Sequence, residues 1–229
     1  MIGLVGGIAP ETTVGYYRML IEGFRAKHPD RYPAIVITSV DLTQMLAIVE
    51  RGDRAGLADL LVAEVGRLAA AGATVAGFAA NTPHMVFDAV AARVAIPLVS
   101  IVTSAAEEAA RRGLTRVGLL GTRFTMEASF YRDVFAARGI AVVAPPRADR
   151  DFVHRVYFDE LVLEVIRPET RDGLLAVITR LVAAERIEAV ILGGTELSLI
   201  LTPEVPSPVP LIDTTRLHVA ALLARDEAA

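Results

Sequence analysis

Four short segments place glycines and polar side chains at spacings that chemistry uses. Each follows a β-branched run and opens a helix-period segment. The first is Gly6-Gly7-Ile8-Ala9-Pro10-Glu11-Thr12-Thr13. Adjacent glycines let a backbone approach a ligand closely, and Pro10 suits a first helical turn. Amides there, joined by Thr12 and Thr13, would hold a carboxylate or phosphate. The second is Asn81-Thr82-Pro83-His84. Its amide and hydroxyl can bind a carboxylate, amine or carbonyl, and His84 titrates near neutrality. The third, Gly121-Thr122-Arg123-Phe124-Thr125, is predicted to place Thr125 as the cap of a helix through Phe135. The fourth is Gly193-Gly194-Thr195-Glu196, and Glu196 is the only acid in the second and fourth loops. Each loop also has a purely structural reading: a tight turn, a helix start, a cap, or a carboxylate placed against a helix dipole.

Other chemistries are excluded. No Gly-x-Gly-x-x-Gly dinucleotide fingerprint and no Gly-x-Ser-x-Gly elbow occurs. His28, His154 and His218 are not spaced with acids as metal ligands would be. His218 lies five residues beyond Asp213 and is expected to reach the edge of a cleft. There is no cysteine, which removes disulfides, zinc-thiolate sites, iron–sulfur clusters and thiol nucleophiles.

The elements that must position these loops are legible as runs. Residues 2–5, 34–39, 74–79, 98–101, 116–120, 141–143, 189–192 and 211–212 read as strands, most of them almost wholly apolar as in a sheet covered on both faces. Residues 54–71 and 170–184 carry apolar side chains at helical spacing. Gly72, Gly113 and Gly139 stand just beyond helical segments, where a left-handed residue is wanted. This alternation predicts an α/β fold with mainly parallel strands. An internal echo adds to it. Ile2-Gly3-Leu4-Val5-Gly6 returns as Val117-Gly118-Leu119-Leu120-Gly121, Tyr16 as Tyr131, the segment before Thr82 as that before Thr195, and Ile96-Pro97-Leu98-Val99-Ser100 as Val209-Pro210-Leu211-Ile212-Asp213. Two pseudo-symmetric copies of one βα unit follow, over residues 1–100 and 101–212, with 213–229 packing back on the first and the corresponding loops lining one ligand cleft.

The chain has 229 residues, 53% apolar and 22% charged, with net charge −4. That composition describes a folded chain and argues against nucleic-acid binding. The first ten residues lack a basic leader, and the longest uncharged apolar run, 68–80, is shorter than the ~18 residues of a membrane span. A cytoplasmic protein without a membrane partner is expected.

At these loops the sequence resembles the aspartate/glutamate racemase family, through residues 2–13, Asn81-Thr82-Pro83-His84, Gly194-Thr195-Glu196-Leu197 and Pro210-Leu211-Ile212-Asp213. The resemblance implies two Rossmann-like, doubly wound halves with the active site between them, a homodimer, and an isomerase that inverts an amino-acid α-carbon without pyridoxal phosphate, metal or other cofactor. It also implies a pair of cysteines, one serving each face, because a thiol can be tuned to acid or base. Here those positions are Ala80 and Gly194, and neither a methyl group nor a hydrogen moves a proton. Two-thiol racemisation is therefore closed to this chain, and two small residues should enlarge the pocket. The neighbours expected to hold substrate remain: Gly7, Ile8, Thr12, Asn81, Thr82, Thr125 and Thr195. Around Met45, where some family aspartate racemases carry a substrate-binding Arg, there is none. Three readings compete: an amino-acid racemase using Glu196 or His84 as surrogates, a lyase or isomerase on a small carboxylate needing one acid/base group, and a carboxylate-binding protein without catalysis.

Overall fold

The computed structural model describes residues 1–8 and 10–228; Ala9, inside the first glycine-bearing loop, and Ala229 lie outside the described residues. Among the described residues, eight strands form two four-stranded parallel sheets. The first sheet contains β1 (Ile2–Gly6), β2 (Ile35–Ser39), β3 (Val75–Phe78) and β4 (Leu98–Val99) in the order β2-β1-β3-β4. The second contains β5 (Arg116–Gly121), β6 (Ala141–Val143), β7 (Ala189–Gly193) and β8 (Leu211–Asp213) in the order β6-β5-β7-β8. The two orders are the same order. The N-terminal unit holds Met1–Ile101 and the chain from Thr215 onward, and the C-terminal unit holds Val102–Thr214.

Strand register explains why the echo drifts. Ile2 faces Val75, 73 residues on, while Val117 faces Ala189, 72 on. Ala76 faces Leu98, 22 residues on, and Val190 faces Leu211, 21 on. The second copy thus loses one residue at each strand crossing, and the corresponding side chains still fall on the same faces, since a strand slip would reverse them. The central strands β1, β3 and β7 are buried throughout, β5 almost so, which is why their sequences show unbroken apolar runs.

Helices cover both sheets. They include α1 (Pro10–Lys27), α2 (Leu42–Glu50), α3 (Arg54–Ala70), α4 (Phe87–Ala91) and α5 (Ile101–Arg111). Further along come α6 (Arg123–Glu127), α7 (Phe130–Ala136), α8 (Arg147–Asp159), α9 (Pro168–Glu185), α10 (Leu197–Ile200) and α11 (Thr214–Glu227). Gly72, Gly113 and Gly139 take the left-handed conformation expected of them, with φ of 95°, 69° and 72°. At Gly72 the helix closes by donation from Gly72 N–H to Ala69 O and from Ala73 N–H to Leu68 O. In the N-terminal unit Tyr16, Leu20 and Phe24 of α1 meet Ile2, Leu4 and Val75 of the sheet and Val219, Leu222 and Leu223 of α11. Tyr131, matched to Tyr16, is wholly buried in the C-terminal unit; burial raises its phenol well above the ordinary value, against a hydrogen bond with Thr214.

One sequence expectation is corrected. Thr122, not Thr125, caps the helix after β5: Thr122 has extended backbone (φ −63°, ψ 159°) and its hydroxyl accepts from Thr125 N–H. A cap must be non-helical, and Thr125 lies inside the turn, buried against Gly121 and Gly193. Nor does the helix run through to Phe135. Ala128 turns extended (ψ 159°) and separates α6 from α7.

Candidate active site

In each unit two neighbouring parallel strands end at the same sheet edge, and the four loops found in the sequence follow those ends. Ligands of open α/β sheets bind at such carboxyl ends.

After β1, Gly7 has φ +79°, and a Cβ there would sit 2.3 Å from Val40 O, so no other residue fits. Gly7 N–H donates to Thr13 Oγ1 at 2.9 Å, and Thr13 lies where a Gly6 side chain would be. Thr13 therefore takes an amide that the bare sequence offered to a ligand. Ile8 and Thr12 are buried beside it.

After β3, Asn81 and Thr82 are buried at the start of a 3₁₀ turn, Thr82–Val86. His84 is 3% exposed, and its two ring nitrogens are both used. Nε2 accepts from Ile101 N–H at 3.1 Å, which places the ring proton on Nδ1, donating to Ala80 O at 3.0 Å. The ring stacks on Phe87 at 5.3 Å. Burial first, and His218 second, push its pKa down to about 3. His84 is a neutral brace between the end of β3 and the start of α5.

His218 does not reach a cleft edge. It is fully buried, its Nε2–H donating to Val99 O at 3.0 Å and its Nδ1 accepting from the Tyr16 hydroxyl at 2.9 Å. Burial pushes its pKa down to about 4.

In the C-terminal unit, β5 and β7 come into backbone contact at their ends. A Cβ on Gly121 would lie 2.5 Å from Gly193 O. Thr122 and Thr125 hydroxyls are 3.2 Å apart above this point. The next loop, Gly194-Thr195-Glu196, carries a carboxylate that is 1% exposed. Glu196 Oε2 accepts from Thr195 Oγ1 at 2.9 Å and from the Tyr157 hydroxyl. Buried charge requires such donors.

Tyr157 was not singled out in the sequence. It lies on α8, three residues after His154 and so on the same helix face. His154 Nδ1 accepts from Arg123 N–H at 3.2 Å, and burial lowers the pKa of its ring. One helix thus ties both loops of this unit. The sequence signal is a His and a Tyr at i and i+3 in residues 147–159, but nothing in the sequence links it to loops 31 and 39 residues away. The expected enlargement at position 194 is also corrected: a Cβ on Gly194 would lie 2.5 Å from Tyr157 Cε2 and 3.2 Å from Cζ, so that space is filled by a ring.

Among the described residues no group of three His, Asp or Glu side chains is placed to hold a metal ion, and no helix is long and apolar enough to cross a membrane.

Residues 5–222 match the Asp/Glu/hydantoin racemase family. The structure is similar to a provisionally assigned Asp/Glu racemase from Yersinia pestis, at 34% identity and TM-score 0.88 over 98% of this chain and 97% of that one. It is similar also to an aspartate racemase homologue from Pyrococcus horikoshii, at 35% identity and TM-score 0.84 over 99% and 98%. A glutamate racemase from Francisella tularensis, solved with D-glutamate, shares the fold at 19% identity and TM-score 0.68 over 99% of this chain and 81% of that one.

Proposed function

Because the chain belongs to the Asp/Glu/hydantoin racemase family, we propose that it acts on an amino acid or related small carboxylate by moving one proton at the carbon beside the carboxyl group, with Glu196 as the group that takes and returns it. The observation that supports this is the buried Glu196 carboxylate, held by Thr195 and Tyr157 next to the position where the resemblance implies a thiol. Desolvated carboxylates with fixed partners are candidates for acid–base work. The matched loop of the other unit brings no second proton carrier: Ala80 has a methyl group, and both nitrogens of His84 are occupied.

In the proposed step the Cα–H bond breaks, and its electron pair remains on the substrate as an enolate-like anion. Glu196 becomes the carboxylic acid, trades that proton with solvent water, and then protonates the same carbon from the same side. One carrier working from one side exchanges the proton and keeps the configuration. Thr125 and Thr195, in the same unit as Glu196, are the proposed carboxylate and amine holders.

Pyridoxal phosphate plays no part in this reading. Lys27 is the only lysine of the chain. It ends α1, a helix of 18 residues and so about 27 Å long, and pairs with Glu227 at 2.9 Å. The reading also carries a cytoplasmic homodimer, for which light scattering should give twice 24.4 kDa.

The test is proton NMR of L- and D-aspartate, glutamate and other amino acids with the protein in deuterium oxide, with chiral chromatography on the same samples. Loss of the α-proton signal without the opposite enantiomer is expected. Inversion keeping pace with exchange overturns the single-carrier scheme. No exchange, with ligands still raising the melting temperature, replaces it with the binding reading; saturation at ~100 times Kd adds about 2.7 kcal/mol.

A further inference from the structure

We propose that Tyr157 stands in for a side chain at position 194: its ring fills the volume that any residue larger than glycine would need there, and its hydroxyl positions the Glu196 carboxylate. The argument begins with space. A Cβ built on Gly194 meets three atoms of the one ring, Cε2 at 2.5 Å, Cζ at 3.2 Å and Oη at 3.3 Å. Real Cβ atoms do not approach carbon at 2.5 Å, so either the ring or the loop would have to move. The ring is poorly able to move. It is 7% exposed, it packs edge-on against Phe158 at 5.4 Å, and its hydroxyl is bound to Glu196. The loop is poorly able to move as well, because Gly193, one residue earlier, has room for no side chain against Leu119 and Leu120.

Position 194 and residue 157 are therefore one decision. A thiol at 194 and a tyrosine at 157 exclude each other, and a chain with the tyrosine gains a hydroxyl donor at Glu196 where it gives up the thiol. Two donors on Oε2 hold that oxygen in one place and favour the ionised carboxylate. Tyr157 acts through Glu196 and is a positioning residue. That part rests on the acid–base reading of Glu196; the exclusion of a side chain at 194 does not.

The experiment uses the absence of cysteine from the chain, which makes any introduced thiol the only one in the protein. Gly194→Cys, Gly194→Cys/Tyr157→Phe and Gly194→Cys/Tyr157→Ala are compared by melting temperature and by reaction with a chromogenic disulfide. Overpacking a well-filled site is expected to lower the melting temperature of the first two by about 5 °C. The third should melt at or above Tyr157→Ala alone, with a thiol that reacts at least tenfold faster than in the Phe variant. Equal melting of Gly194→Cys and the native protein, or simple additivity of the two substitutions, overturns the exclusion.

The positioning role is read from carbon-13 NMR of side-chain carboxyl groups, with the Glu196 resonance assigned by its loss in Glu196→Gln. In Tyr157→Phe, which keeps the ring, the titration midpoint of that resonance should move to higher pH. An unmoved midpoint overturns the role. Neither readout needs turnover, so a failure of proton exchange counts against the proposed reaction and leaves this result standing.

Discussion

The loop after β3 and the loop after β7 occupy the same place in the same strand order, and they have been built to opposite ends. In the first, the side chain that could carry a proton is locked by two backbone partners: His84 spans Ala80 O and Ile101 N–H and stays neutral. In the second, the titratable group accepts from side-chain hydroxyls, those of Thr195 and Tyr157. Backbone partners fix a chain path, whereas side-chain donors fix a charge. The comparison shows that a His at a strand end and a Glu at a strand end, equal candidates by residue type, separate once their partners are counted.

Glu196→Gln should break the comparison most severely. An amide is nearly the same size but exchanges no proton, and general acid–base help is worth roughly 10²–10⁴-fold. Proton exchange at the substrate carbon should fall by at least that factor, while ligand-induced stabilisation persists within about threefold. Exchange at the native rate would remove Glu196 from the chemistry. His84→Ala tests the other side. It leaves Ala80 O and Ile101 N–H buried without their partner, at about 1–3 kcal/mol each. A loss of about 3 kcal/mol in urea unfolding is expected, with the exchange rate per folded molecule within a few-fold of native. A large rate loss at unchanged stability would return His84 to the chemistry.

These assignments were unevenly legible. The four central strands can be read because, covered on both faces, they run apolar without interruption, and Gly72, Gly113 and Gly139 can be read because a left-handed turn demands them. The loops were found for the same local reason. What they do was not local. His84 takes its meaning from Ile101, 17 residues on, and Glu196 from Tyr157, 39 residues back. Hydroxyl contacts across that distance leave no periodic mark. Even close in sequence, residue type does not separate Thr125 from Thr122 as the cap; only the backbone angles do.

The neutral histidines His84 and His218 give the N-terminal unit a pH signature, and His154 of the other unit, lowered by burial, acts in the same direction. His84 and His218 have folded pKa values near 3 and 4, against about 6.5 in an unfolded chain. Below pH 6.5 the unfolded chain binds protons that the folded chain refuses. Stability is therefore full above pH 6.5 and declines as pH falls, with a slope approaching about 1.4 kcal/mol per pH unit for each histidine. Glu108, held near 2 by Arg111 and Arg112, adds to the loss only at lower pH. Between pH 5 and 6.5, urea unfolding should show a slope that drops by about one proton in His218→Gln. An unchanged slope would mean that His218 is not buried neutral.

The smallest effect sharpens the comparison within one loop. Thr122→Ala removes the acceptor for Thr125 N–H at the start of α6, and an N-cap threonine is worth about 1 kcal/mol. In a chain of this size that is a fall of about 2–4 °C in melting temperature. Thr122→Ser and Thr122→Asp should recover most of it, since each keeps an oxygen at the cap. Thr125→Ser separates the two roles. It keeps the hydroxyl and removes the methyl group packed 3.2 Å from the Cβ direction of Gly121, so its loss should be that of one buried methyl and should not respond to the residue at 122. Non-additive losses in the double variant would show that the two hydroxyls, 3.2 Å apart, act as one unit.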